Sequence, residues 1–277
     1  MIEPRGAYAR LLAVIRPLER VVVAFSGGAD STLLLDACIK ALGGENVLAA
    51  TLDAPYMARA EIADARRVAA VLGARHAVID APFPEALRAN PEDRCYQCKR
   101  HLLGRLQTLA ASQGFGCVVE GSNADDLDDH RPGMRAVREL GVLSPLLAAG
   151  LDKAAVRELS RWRGLDTWDK PAQPCLLTRF PHGAAISMTD VRRVETAEAV
   201  LRDLGFVGAR VRCHGDLARI EVSSEQVAAL AQTGQRAHAA LTGLGFAFVT
   251  LDLAGYRRGS FNHIPEPGFE TETEGRA

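Results

Sequence analysis

Charge of neither sign prevails in this chain: 33 lysines and arginines stand against 34 aspartates and glutamates, a net charge of -1. Without a broad positive field to hold a polyanion, nucleic acid is not an expected partner. Long apolar runs are missing too. None approaches the roughly 20 residues that a bilayer-spanning helix needs, and the opening MIEPRGAYAR has no hydrophobic signal core, so no membrane partner and a cytoplasmic location are expected. Six cysteines in 277 residues are too few for a disulfide scaffold, and a reducing compartment keeps them as thiols to be judged one by one. Internal repeats are absent. What remains is the mixture of a soluble globular protein, 48% apolar and 24% charged, with length for one large domain or two ordinary ones.

Four compact apolar runs bounded by turn signals read as buried strands: Val21 to Phe25, Val47 to Leu52, His76 to Ile79 and Cys117 to Glu120. Helical patterns at Asp30 to Leu42, Ala58 to Leu72 and Lys99 to Ala111 separate them. This alternation predicts an α/β fold, a doubly wound parallel sheet covered on both faces. Another helix, Lys153 to Trp162, follows Asp152 as N-cap. The proline-rich DKPAQPC then breaks the pattern, and the domain boundary is placed there, giving residues 1–170 and 171–264. In the second part a long helix from Thr189 to Leu204 precedes a hairpin, Ala209 to His214 and Leu217 to Val222 about Gly215-Asp216. Helices from Ser224 and near Gln235 to Leu244, and a strand at Ala247 to Leu251, complete a smaller α+β domain. Residues 265–277 read as a mobile acidic tail.

Where the first strand becomes a helix the sequence is Ser26-Gly27-Gly28-Ala29-Asp30-Ser31. A helix start presents bare backbone N–H groups and roughly half a positive charge. Glycines let a phosphate approach the backbone, and hydroxyls add donors. An ordinary tight turn with Asp30 as a cap is the plain alternative; the full pattern after a buried strand and before a periodic helix favours the anion site. No lysine follows the glycines, so this is not a Walker A loop. The stretch EGSNADDLDDHRPG, from Glu120 to Gly133, also follows a strand at the sheet's carboxyl edge, where Asp125 or Asp128 suits a phosphate-bound divalent ion and a solvated acidic turn is the alternative.

Cys95-Tyr-Gln-Cys98 and Cys175 are read in irregular, proline-flanked segments whose charged neighbours Arg94, Lys99 and Arg179 are expected to draw thiol pKa values down. Cys38, Cys117 and Cys213 fall on element interiors and read as packing residues.

The SGGxDS loop resembles the PP-loop of the N-type ATP pyrophosphatases, which split ATP between the α and β phosphates. DRCYQCK, EGSNADDLDDHRPG, PCLLTRFPHG, ARVRCHGDLARIEV and GYRRGSFN follow one another in the order of the LarE-type sulfur transferases, over about Val21 to Asn262. That resemblance implies adenylation of the carboxylates of pyridinium-3,5-biscarboxylic acid mononucleotide and replacement of AMP by sulfur, in nickel-pincer cofactor synthesis. It implies that ATP and Mg²⁺ bind through Ser26, Gly27, Gly28, Asp30 and Ser31, beside which the acidic loop offers Asp125, and that the protein is a homo-oligomer. The sulfur source is implied in two forms: Cys175 giving up its own sulfur, or Cys95, Cys98 and Cys175 holding a 4Fe-4S cluster. All three cysteines being present, the cluster form is expected. Thr178 stands where the family's segment has serine, which keeps a hydroxyl.

Arg210 and Arg212 alternate along one strand and share a face, suited with Arg179 to a phosphate or carboxylate of a small nucleotide substrate; a solvated strand face is the alternative. Glu195, Glu198 and Glu221 are candidates to bind a metal or to orient these arginines. Rival functions are another PP-loop adenylating chemistry, such as tRNA thiolation or amide ligation, and a non-catalytic nucleotide-binding module. The balanced charge and the lack of a zinc-ribbon pattern oppose the tRNA reading.

Overall fold

The computed structural model describes residues 3–127, 132–171 and 173–257. Asp128, residues 258–262 of GYRRGSFN and the 265–277 tail lie outside them. The chain divides into two compact units, Met1–Thr178 with Gly183–Val191, and Arg179–His182 with Arg192–Ala277.

The first unit opens with α1 (Pro4–Ile15), which the strand-and-helix alternation does not announce. Glu3 caps it by accepting the Arg5 and Gly6 N–H groups, and proline at its first position needs no donor. Its buried Ala7, Tyr8, Leu11 and Ile15 form one stripe. Strands β1 (Val21–Ala24), β2 (Val47–Asp53), β3 (Arg75–Asp80) and β4 (Cys117–Val119) then build a wholly parallel sheet in the order β3-β2-β1-β4. Helices α2 (Ala29–Leu42), α3 (Arg59–Val71) and α4 (Arg94–Ser112) make the crossovers; α5 (Pro132–Glu139), α6 (Pro145–Ala148) and α7 (Lys153–Trp162) follow β4. As expected, Asp152 caps α7, accepting from the Ala155 N–H at 2.7 Å.

Helices α1, α2, α6 and α7 pack on one another, and α4 packs on α5. Residues of β1 and β2 are therefore buried on successive positions, with Val21, Val22 and Val23 all excluded from solvent, whereas β3, expected to be buried from His76 to Ile79, is only partly buried because it forms the sheet edge. Leu33, Leu34 and Leu35 of α2 meet Leu11, Ile15, Leu146 and Leu159 in the main core. Truncating any of these leucines to alanine is worth about 2–5 kcal/mol. The sheet grows outward from β1 to β3 and then resumes on the other side of β1 with β4. That reversal opens a crevice at the carboxyl ends of β1 and β4, the place where open parallel sheets bind ligands.

The division into units falls within α8 (Met188–Asp203). The second unit carries the hairpin β5 (Arg210–His214) and β6 (Leu217–Glu221), then α9 (Val227–Gln232), α10 (Gly234–Gly243) and β7 (Phe248–Leu251). Strand β7 pairs parallel to β6, giving the order β5-β6-β7. Its core is formed by Leu201, Val211, Ala218, Ile220, Leu230, Leu241 and Phe246. Among the described residues no helix is long and apolar enough to cross a membrane.

Candidate active site

At the carboxyl end of β1 the chain turns through Gly27 at φ +71° and enters α2 with Gly28 as its N-cap, where no side chain caps the first turn. The two serines hold the turn. Ser26 N–H donates to Ser31 Oγ at 3.3 Å, the two hydroxyls meet at 3.1 Å, and Ser31 Oγ donates to the Gly28 carbonyl at 3.2 Å. Gly27 is needed for space as well as conformation: a Cβ there would stand 2.8 Å from the Cα of Ala65 in α3. The result is a preformed nest of N–H groups at a helix N-terminus, fit for a phosphate.

The loop after β4 closes against this turn. A Cβ on Gly121 would lie 3.2 Å from Ser31 N. Asn123 Nδ2 donates to Asp30 Oδ1 at 2.8 Å. Asp30 is raised above the ordinary carboxylate range by burial, against the Asn123 hydrogen bond, with the charge of Asp126 adding to the rise. A divalent cation beside bound phosphates is what such a carboxylate pair suits. Asp125 accepts the Lys153 N–H of α7 at 3.2 Å. Glu120, at the start of the loop, is buried, which opposes its charge, but Lys99 at 2.9 Å and the hydroxyls of Ser144 and Ser122 hold its carboxyl below the usual range.

A cation does reach the phosphate loop, though not from within it. Lys170 Nζ lies 3.4 Å from the Gly27 carbonyl, 3.0 Å from Asp64 and 3.3 Å from Glu61.

The cysteine pair corrects two expectations. Cys95 and Cys98 lie in the first turn and a half of α4, not in an irregular segment: the Tyr96 and Gln97 N–H groups already bond to the Asp93 carbonyl. Nor is the Cys98 thiol drawn down. Burial pushes it up to about 12, with the charge of Cys175 adding to that, a hydrogen bond from Tyr56 working against it and Cys95 adding a smaller rise. The cations expected to lower it are committed elsewhere: Arg94 to Asn90 at 2.8 Å, Lys99 to Glu120 and Arg179 to Glu198. Tyr56, fully buried, binds both cysteine segments. Its hydroxyl lies 3.2 Å from Cys98 Sγ, and its carbonyl accepts the Leu176 N–H at 3.1 Å, one residue past Cys175. Thr178 Oγ1 donates to the Cys175 carbonyl at 2.9 Å, so the hydroxyl at that position shapes the turn. Among the described residues no three His, Cys, Asp or Glu side chains are placed to hold a single metal ion.

The second unit holds a separate cluster of charge. Cross-strand register puts Arg210 opposite Glu221 and Arg212 opposite Arg219, all four on one face. Arg179 grips Glu198 with both arms of its guanidinium, at 2.8 and 3.0 Å, and Glu198 also accepts the Val211 N–H. Arg212 binds the fully buried Glu221 at 2.7 and 2.9 Å. Glu198 and Glu221 thus orient arginines, while Arg210 reaches only the Gly208 and Ala209 carbonyls in the bonds its guanidinium makes here. Burial and then the neighbouring Arg179 charge lower the pKa of Arg210, while the charge of Glu198 works against them.

Sequence reasoning missed Tyr56, Lys170, Asn123 and Asp126. Asn123 and Asp126 sit within a quoted motif, and Lys170 stands in the proline-rich KPAQPC segment, so each had a local signal. Tyr56 had none, because its two contacts are tertiary.

A family model described as NAD synthase matches residues 14–98. An uncharacterised protein of Synechocystis sp. is 42% identical over 252 residues, covering 89% of this chain and 93% of that one. The pyridinium-3,5-bisthiocarboxylic acid mononucleotide synthase of Lactiplantibacillus plantarum is 37% identical over 256 residues, 92% of this chain and 93% of that one. An uncharacterised protein of Methanocaldococcus jannaschii is 30% identical over 207 residues, 75% and 79% of the two chains.

Proposed function

The chain belongs to the family of the pyridinium-3,5-bisthiocarboxylic acid mononucleotide synthase, PP-loop enzymes that use ATP to transfer sulfur, and we propose that it carries out that synthesis through the residues described above. A substrate carboxylate attacks the α-phosphorus of ATP; pyrophosphate leaves, received by the N–H groups and hydroxyls of Ser26 to Ser31. Asp30 would hold Mg²⁺, which when bound supplies positive charge to the leaving pyrophosphate. A sulfur nucleophile then attacks the acyl carbon, AMP departs with the bonding pair on its phosphate oxygen, and a thiocarboxylate remains. Arg179, Arg210 and Arg212 take the substrate's phosphate and carboxylates, which suit their planar guanidinium groups.

One observation carries the reading. Lys170 touches the phosphate loop, and Cys175 follows only five residues later, within roughly 18 Å of chain even if fully extended. A thiol is therefore tethered close to the place where ATP is opened.

For the sulfur source, the three cysteines favour a cluster over a lone sacrificial cysteine: Cys95 and Cys98 stand one turn apart at the start of α4, and Tyr56 bonds both to Cys98 and to the residue after Cys175. Cys95, Cys98 and Cys175 would hold a 4Fe-4S cluster, which when bound supplies a renewable sulfide. The chain's own residues keep Cys175 on its turn and Cys98 on α4. The reading brings with it a cytoplasmic homo-oligomer, checked by light scattering.

The test is anaerobic turnover with ATP, Mg²⁺ and the biscarboxylate mononucleotide. Pyrophosphate, AMP and thiocarboxylate are expected, with stoichiometric iron and sulfide and an intact chain mass afterwards. Loss of one H₂S from Cys175 would replace the cluster reading with the sacrificial one; no pyrophosphate release would end the whole assignment.

A further inference from the structure

The placement of Tyr56 in the first unit is not explained by packing alone. Its ring is buried and meets Phe83 edge-on at 5.6 Å between centroids, which a phenylalanine would do as well. The hydroxyl is the added feature, and it is spent on Cys98 Sγ at 3.2 Å. A buried tyrosine O–H takes a partner when one is offered, and here that partner is a thiol, not a carbonyl or carboxylate. The backbone of the same residue accepts the Leu176 N–H at 3.1 Å, which fixes the chain next to Cys175.

We infer that Tyr56 is a positioning residue for sulfur transfer, its hydroxyl holding the Cys98 thiol while its backbone carbonyl holds the Cys175 segment, so that one residue sets the two sulfurs against each other. The proposal rests on the sulfur-transfer reading and adds to it a residue that touches neither ATP nor the acyl carbon. It applies whether Cys98 serves as an iron ligand or as a partner thiol, because in both cases the rotamer of its side chain must be fixed before the sulfur moves. Among the described residues no hydrogen bond links Tyr56 to the phosphate loop, so its loss is expected to separate the two halves of the reaction.

The experiment compares wild type with Tyr56→Phe and, as a packing control, Phe83→Leu, in the full-length protein. Two readouts are taken. On reduced, metal-free protein, bridging of Cys98 to Cys175 by dibromobimane is measured by peptide mass spectrometry. On the reconstituted protein, pyrophosphate release and thiocarboxylate formation are followed separately. Tyr56→Phe is expected to lower the bridged yield and to slow thiocarboxylate formation by about three- to tenfold, the scale of one hydrogen bond, with pyrophosphate release and the KM for ATP unchanged. Phe83→Leu is expected to lower the melting temperature without that split. Equal bridging and equal thiocarboxylate rates in wild type and Tyr56→Phe would overturn the proposal, as would a parallel loss of both half-reactions in the two variants. Wild type that makes no thiocarboxylate would instead sink the sulfur-transfer reading, and the bridging assay would still judge the Tyr56 contact.

Discussion

Lys170 Nζ lies 3.4 Å from the carbonyl oxygen of Gly27, although 143 residues separate them. The phosphate loop lacks a lysine of its own and acquires one from the far end of the same unit, held in place by Asp64 and Glu61. Replacing Lys170 with methionine removes a cation beside the phosphate loop and leaves Glu61 and Asp64 without it. The KM for ATP in pyrophosphate release is expected to rise roughly tenfold or more, the value of a hydrogen bond to a charged group. An unchanged KM would show that Lys170 only braces α3.

Asp30 is kept above the ordinary carboxylate range by its burial. A carboxyl whose folded pKa is raised weakens the fold once it is ionised, so stability should climb as pH falls from neutrality through that raised pKa. Asp30→Asn keeps an oxygen for Asn123 and removes the charge. The variant is expected to melt higher than wild type at pH 8 in the absence of Mg²⁺ while losing pyrophosphate release, a trade of activity against stability. Lower stability at pH 8 would contradict the sign argued here.

Cys98 titrates near 12, chiefly because it is buried, whereas Cys95 is exposed. Between pH 7 and 9 the metal-free protein should therefore alkylate at Cys95 first, with Cys98 at least about tenfold slower and its rate still rising at the upper end of that range, since the thiolate is the reacting form. Timed iodoacetamide labelling with peptide mass spectrometry reads this directly.

Glu221 is buried without exposure and carries both Arg212 and Arg219. Glu221→Ala strands buried guanidinium charge and is expected to cost about 3–5 kcal/mol in chemical denaturation. A loss under 1 kcal/mol would mean that Arg212 finds another partner.

Much of this was legible in the sequence because it rests on local pattern. The first two strands of the parallel sheet coincide with nearly unbroken apolar runs, since burial on both faces removes any need for alternation. Ser26 to Ser31 was legible because a strand, a glycine pair and a periodic helix stand in succession, and the family relatives bear out the sulfur-transferase resemblance. The start of α4 was not: Pro91 and the charged run before Cys95 imitate a loop, yet Pro91 lies just ahead of the helix, its carbonyl accepting the Arg94 N–H, and the residues from Arg94 onward contain no helix breaker. The thiol environment failed for a related reason. Sequence places Arg94, Lys99 and Arg179 beside cysteines, but Asn90, Glu120 and Glu198 claim them through contacts that only the fold creates. Tyr56 belongs to the same class, an ordinary apolar position until its hydroxyl is traced to a sulfur.

The close approach of Gly27 to α3 has a consequence for how relatives of this chain are read. The atom a side chain would strike is the Cα of Ala65, with its backbone nitrogen next at 3.1 Å, so no substitution at position 65 makes room. The glycine is dictated by where a neighbouring helix axis runs, and a descendant that had given up nucleotide chemistry would retain it for as long as it kept the fold. Ser26, Asp30 and Ser31 are under no such geometric compulsion. In a genome survey, those three are the positions whose loss marks a chain that no longer opens ATP, and the glycine is silent on the matter.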